Sequence, residues 1–104
     1  MDKVFKALSD PTRRQILQLL REREMNAGEL AVHFSLSKPT LSGHFSVLRE
    51  ADLVMSERSG TTITYRLNLS VLEEVLLGFS AALKVGVSSS TAAVAAAIQE
   101  SKHD

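Results

Sequence analysis

Between Leu36 and Val54 the chain reads LSKPTLSGHFSVLREADLV, and one side of this stretch is made for hydrogen bonding. Thr40, Ser42, Gly43 and Ser46, with Lys38 in the first turn, form a face of small polar groups. A helix face that merely meets solvent is ordinarily covered by Glu, Lys and Gln. Hydroxyls donate and accept, a glycine admits close approach, and a lysine offers a point charge to phosphate. The chemistry is recognition of another surface rather than bond breaking. A DNA major groove, about 12 Å wide, accepts a helix of this kind. Thr40, Ser42 and Gly43 are placed toward base edges, with Pro39 beside Lys38 at the start. His44 flanks the face within reach of a phosphate, and the Ser37 hydroxyl is either a cap, a phosphate contact, or both. Gly43 costs about 1 kcal/mol in a helix interior relative to alanine. Packing against another helix would explain it as well as approach to DNA.

Other chemistry is scarce. There is no cysteine, which excludes disulfides, thiolate metal sites and thiol redox sensing. His33, His44 and His103 are the only imidazoles. Glu73 and Glu74 are adjacent and point about 100° apart on a helix, so they make no metal site by themselves. No metal site and no cofactor are expected. No nucleophile–base pair or phosphate loop is visible, and an enzyme is not expected. Arg58, near the tip of a candidate hairpin, is the best single phosphate or minor-groove contact, with Thr61 beside it. Arg13 and Arg14 are expected to pair within the chain, with Asp10 or Glu22, rather than to meet DNA.

These residues need elements to hold them. Ser37 can cap a helix, and Leu41, Phe45 and Leu48 fall within roughly 60° of one another on it, giving one buried stripe. Before it, residues 2–8 read as a short helix with Val4, Phe5 and Leu8 on one side. Asp10 caps, and Pro11 opens, a helix to about Arg23 with Ile16, Leu17, Leu19 and Leu20 inward. Asn26 caps a short helix from Ala27 to Phe34, with Leu30, Ala31 and Phe34 inward, and Ser35–Leu36 turns into the capped segment. Residues 53–58 and 62–67 read as two strands, with Ile63, Tyr65 and Leu67 on one face and Ser59-Gly60-Thr61 as the turn. A helix resumes at Leu69 with Leu72, Val75, Leu76, Phe79 and Leu83 at helical spacing, widened by Val71 and Leu77. Gly86 and Ser88–Ser90 are expected to break it. The alanine-rich remainder, Thr91 to Gln99, has the composition for a short last helix.

With 104 residues, the chain is long enough for one core. Residues 1–86 are expected to form one DNA-binding and dimerisation domain, with 87–104 as a Ser/Ala-rich tail. Net charge is zero, although DNA-binding domains are usually basic. Residues 1–67 hold ten Lys/Arg against eight Asp/Glu, and residues 68–104 two against four. A few placed cations, doubled by dimerisation, would have to carry phosphate binding, so a modest salt slope is expected. No apolar run reaches membrane-span length and no signal-peptide pattern is visible. A cytoplasmic protein without membrane insertion is expected.

The order of elements, α-α-α-α-β-β-α, is a mainly α fold with a two-stranded β-hairpin: a winged helix-turn-helix. Three stretches carry a resemblance. They are Phe5-Lys6-Ala7-Leu8-Ser9-Asp10-Pro11-Thr12-Arg13-Arg14-Gln15-Ile16-Leu17; Leu41-Ser42-Gly43-His44-Phe45 leading to Leu48-Arg49-Glu50-Ala51-Asp52-Leu53-Val54; and Gly60 followed by Tyr65-Arg66-Leu67. Together they resemble the ArsR-type winged-helix repressors over residues 1–77. Val4-Phe5-Lys6-Ala7 and Leu36-Ser37-Lys38-Pro39 resemble the SdpR-like autorepressor branch in particular. The resemblance implies a homodimer built from the first and last helices, a palindromic DNA operator and repression of transcription. It places base-facing roles on Lys38, Pro39, Ser42 and Gly43. Gly43 departs from relatives that often carry a histidine or another polar residue there, and Phe45 stands where they usually have leucine.

The apolar surplus of the last helix exceeds what a small core needs, and a two-fold contact accounts for it. Val4, Phe5, Leu72, Val75, Leu76, Phe79 and Leu83 are its expected residues. Metal sensors of the family use cysteines in the third helix or Asp/His sets in the last, and this chain has neither. A metal-responsive repressor of the same fold is the runner-up despite that lack, and a winged-helix protein-interaction module is another alternative. Release by a regulatory protein partner, by an apolar ligand between the last helices, or by concentration alone is compatible with the sequence.

Overall fold

The computed structural model describes residues 1–85. The expected break at Gly86 and Ser88–Ser90, the alanine-rich tail and His103 lie outside the described residues. The chain forms two compact units, Met1–Val71 and a second from Leu72 on.

The first unit opens with α1 (Asp2–Leu8) and α2 (Pro11–Glu22). Between them Asp10 stands as N-cap, its carboxylate accepting the N–H groups of Thr12 at 2.8 Å and Arg13 at 3.2 Å. Pro11 follows at a position whose N–H would be orphaned anyway. Burial in α1 falls on Val4 and Ala7, with Phe5 and Leu8 half-buried. In α2 it falls on Ile16, Leu17 and Leu20, with Leu19 half-buried. Next come β1 (Met25–Asn26) and α3 (Ala27–Ala31). Asn26 is both a strand residue and the N-cap of α3. Its side chain takes the Glu29 N–H, and the Glu29 carboxylate takes the Asn26 N–H, a reciprocal capping box. α3 is shorter than expected. It closes at Ala31, His33 and Phe34 make turn hydrogen bonds back to Leu30 and Ala31, and Phe34 is only half-buried.

Helix α4 (Lys38–Glu50) buries Leu41, Phe45 and Leu48, the stripe read from the sequence. It ends in a way the sequence did not announce. Asp52 sits in the left-handed region at φ 58°. The N–H of Asp52 returns to Arg49 O and that of Leu53 to Leu48 O. This is a Schellman closure, normally given to glycine or asparagine. It brings together the two fully buried residues Leu48 and Leu53, whose burial stabilises the reversal.

The hairpin is β2 (Val54–Ser59) and β3 (Thr62–Leu67), antiparallel, with Ser56 opposite Tyr65 and Arg58 opposite Ile63. Gly60, at φ 61°, begins its two-residue tip, a conformation that glycine adopts without steric cost. A third strand joins it: β1 pairs with β3 through Met25–Tyr65 and Asn26–Thr64, giving the sheet order β1-β3-β2. The sheet is anchored to α4 where the Phe45 and Tyr65 rings meet at 4.5 Å. Burial raises the Tyr65 phenol above its ordinary pKa, against a smaller opposing pull from Arg49. The completed core centres on Ile16, Leu30, Leu48 and Leu53, from α2, α3, α4 and the turn after α4.

In the second unit runs most of α5 (Leu69–Ala82), and no residue of this helix is buried. Leu72, Val75 and Leu76 are half-buried, and Leu77, Phe79 and Leu83 are more exposed. The helix closes before Gly86: Lys84 takes φ 56° and Val85 N–H returns to Ser80 O.

Candidate nucleic-acid interface

The face opposite the buried stripe of α4 is open. Lys38, Pro39, Thr40, Ser42 and Gly43 are exposed, and His44 and Ser46 are half-buried at its flanks. A Cβ placed on Gly43 would meet nothing within 4 Å. The packing explanation for this glycine therefore has no neighbour to support it. What remains is an outward helix surface lowered by one side chain.

The start of α4 adds electrostatics. Ser37, in extended conformation, caps it by accepting the Thr40 N–H at 3.3 Å and donating to the Thr40 hydroxyl at 2.9 Å. No acidic residue occupies the first turn, and Lys38 stands there instead. A helix N-terminus carries roughly half a positive charge, so a lysine there opposes the dipole. The cost is about 0.3–1 kcal/mol, and it turns into a gain when an anion is brought up. The dipole and the lysine then both act on the same anion, while Pro39 has no N–H to offer and the Thr40 N–H is already held by Ser37.

On the wing, Arg58 and Thr61 are exposed, Arg58 one residue from the end of β2 and Thr61 in the tip itself. Helix and wing belong to one packed unit, joined through Phe45 and Tyr65. Of the residues expected at a two-fold contact, Val4 is buried and Phe5 half-buried, while Leu72, Val75, Leu76, Phe79 and Leu83 keep substantial exposure.

One expectation is corrected. The guanidinium groups of Arg13 and Arg14 reach main-chain carbonyls rather than carboxylates. Arg13 donates to Ala7 O and Lys6 O, Arg14 to Leu8 O. These are carbonyls at the end of α1, where cations are favoured; Lys6 O also takes the Ser9 N–H and hydroxyl. Arg13 also bonds His44, 31 residues away, a link that no spacing rule reveals. Around them, burial pushes the Asp10 carboxyl up, but the N–H groups of Arg13 and Thr12, then the charges of His44 and Arg13, bring it below its ordinary value. Glu29 is likewise lowered, first by the Asn26 N–H and then by Arg23, its partner at 3.0 Å. Among the described residues no group of three or more His, Cys, Asp or Glu could hold a metal ion. None of the described helices is long and apolar enough to cross a membrane.

A small three-stranded sheet whose hairpin follows a helix-turn-helix defines a winged-helix regulator of the bacterial type, and the comparisons agree. The model of the bacterial regulatory protein, arsR family, matches residues 10–56. Over 74 residues the chain is 49% identical to the transcriptional repressor SdpR of Bacillus subtilis (strain 168), covering 71% of this chain and 82% of that protein. It is 38% identical to the arsenical resistance operon repressor of Staphylococcus aureus, covering 70% of each. An ArsR-like transcriptional regulator from Rhodococcus sp. RHA1 superposes with a TM-score of 0.72 at 27% identity, covering 99% of this chain and 91% of that one. The chain belongs to the arsR family of bacterial regulatory proteins.

Proposed function

We propose that the protein is a sequence-specific DNA-binding repressor that acts as a homodimer on an imperfect palindrome. The observation that carries this reading is the open face of α4: small hydroxyls around a glycine with empty space above it, and a lysine set against the helix dipole. Lys38, Pro39, Thr40, Ser42 and Gly43 face base edges. Ser37, His44, Ser46, Arg58 and Thr61 meet backbone and wing-side contacts, which set register rather than sequence. The repressor names of relatives in the same family support the regulatory sense of binding. Repression of its own gene is the simplest circuit for such a chain.

Dimerisation is assigned to α1 and α5. Leu72, Val75, Leu76, Phe79 and Leu83 form the larger part of the contact and Phe5 the smaller, with Val4 supporting α1 from within. Residues 1–86 then act as the DNA-binding and dimerisation domain, with 87–104 as a tail, and the protein works in the cytoplasm. Release by a regulatory protein partner fits a chain without a metal-ligating cluster among its described residues.

Selection of duplexes from a random pool on the full chain tests the proposal. Enrichment of a palindrome with half-sites about 10 bp apart, or a multiple, is expected from two reading helices related by a two-fold axis. A pool that enriches nothing, with binding equal on all duplexes, contradicts it.

A further inference from the structure

The Arg13 guanidinium makes three hydrogen bonds, and they tie three helices together. Nε reaches Ala7 O at 2.8 Å, Nη2 reaches Lys6 O at 2.9 Å, and Nη1 meets Nδ1 of His44 at 3.1 Å. A guanidinium has donors only and stays charged. Nδ1 of His44 must therefore be the acceptor, and an imidazole accepting at Nδ1 carries its proton on Nε2. The carbonyls of α1 hold Arg13 in place, so the proton position on His44 is fixed by a scaffold rather than by a mobile side chain. Asp10, whose carboxylate accepts the Arg13 main-chain N–H at 3.2 Å, caps the same helix that carries Arg13.

We propose that Arg13 is a positioning residue for DNA binding: it holds His44 in its Nε2–H form and presents that N–H to a backbone phosphate oxygen beside α4. This rests on the DNA-binding reading above. The phosphate follows from placement. A helix about 10–12 Å across that enters a groove about 12 Å wide turns its outermost residues to the bases and its flanks to the phosphate walls. Gly43 is outermost in the middle of α4, and His44 lies about 100° round from it, half-buried against Arg13. A neutral histidine with the proton on the other nitrogen would point a lone pair at the phosphate and repel it. Arg13 excludes that form, and through the Lys6 and Ala7 carbonyls it makes the setting of His44 depend on where α1 sits.

Two readouts on the full chain test this. Two-bond ¹H–¹⁵N correlation of the imidazole rings, at a pH where His44 is neutral, reports its tautomer in the free protein. Fluorescence anisotropy on the pool-selected duplex reports binding for wild type, Arg13→Lys, His44→Ala, the double variant and His44→Gln. The expected result is His44 protonated at Nε2 in wild type and a mixture of both forms in Arg13→Lys. Arg13→Lys and His44→Ala should each weaken binding roughly tenfold, and the double variant should be no weaker than His44→Ala alone. His44→Gln, whose amide N–H can replace Nε2–H, should stay within about threefold of wild type, which separates a lost donor from a loosened helix. An Nδ1-protonated His44 in wild type, or losses that multiply in the double variant, overturns the role of Arg13. A wild-type chain with the expected tautomer that binds no duplex overturns the DNA-binding reading, and the phosphate contact with it.

Discussion

Helices α4 and α5 are similar in length and opposite in character. α4 buries Leu41, Phe45 and Leu48 and leaves Thr40, Ser42 and Gly43 to solvent. α5 is the more apolar sequence, yet it buries nothing fully: Leu77, Phe79 and Leu83 are 43%, 40% and 58% exposed. Their ends close alike, each with a non-glycine residue in the left-handed region, Asp52 and Lys84. The first closure joins two fully buried leucines. The second joins Ser80 to Val85, which is 45% exposed. A finished core beneath a polar surface suits a reading element, whereas an apolar helix with this much exposed surface among the described residues suits the packing role proposed for it above.

That contrast breaks most visibly at α5. Leu76→Glu combined with Leu83→Glu should turn the proposed dimer into a folded monomer, seen by sedimentation. Operator affinity should fall by about a thousandfold, the scale on which two linked half-sites exceed one. Next in size is a cavity in the finished helix. Leu48→Ala removes a fully buried side chain and should cost about 3 kcal/mol in urea unfolding, without altering the selected sequence. A smaller effect separates the two closures. Asp52→Gly relieves a left-handed residue beneath the core and should raise stability by about 0.5 kcal/mol. Lys84→Gly should leave the cooperative unfolding of residues 1–71 unchanged.

Acid gives the finest distinction. Asp10 and Glu29 both have carboxyls below their ordinary values, 3.8 and 4.5. Their contribution to stability is complete above those values and lost as the pH falls through the lower folded ones. The first turn of α5 holds no acid. Acid titration followed by amide exchange should therefore open α2 and α3 at their N-termini while α5 shows no such step. Asp10→Asn should blunt the response in α2.

Much of the fold was legible because its signals are local. Asp10, Asn26 and Ser37 cap as their types and positions predict, and Leu41, Phe45 and Leu48 keep strict helical spacing. β1 was hidden because Met25 and Asn26 are too few for any alternation, and their pairing is set by Tyr65 and Thr64 some forty residues on. The early end of α3 was hidden because Ala31 and Phe34 fit the helical spacing. Only the turn bonds of His33 and Phe34, which leave Val32 84% exposed, end it. In the site, the small polar face was readable from residue types. The clearance above Gly43 and the hold of Arg13 on His44 were not, since both depend on what tertiary packing brings near and what it leaves away.

The measurement closest to the central claim is operator binding by fluorescence anisotropy in a salt series, for wild type and for Lys38→Ala with Ser42→Ala. Both side chains are exposed on α4 and Lys38 opposes the helix dipole, so the double variant should unfold no earlier than wild type. The account predicts that the double variant loses its preference for the selected palindrome, by about 100-fold in affinity for two altered half-sites. Its salt slope should be shallower by about one to two phosphate contacts. A double variant that binds the palindrome as tightly and selectively as wild type, with the same slope, would contradict the assignment of α4 as the reading helix.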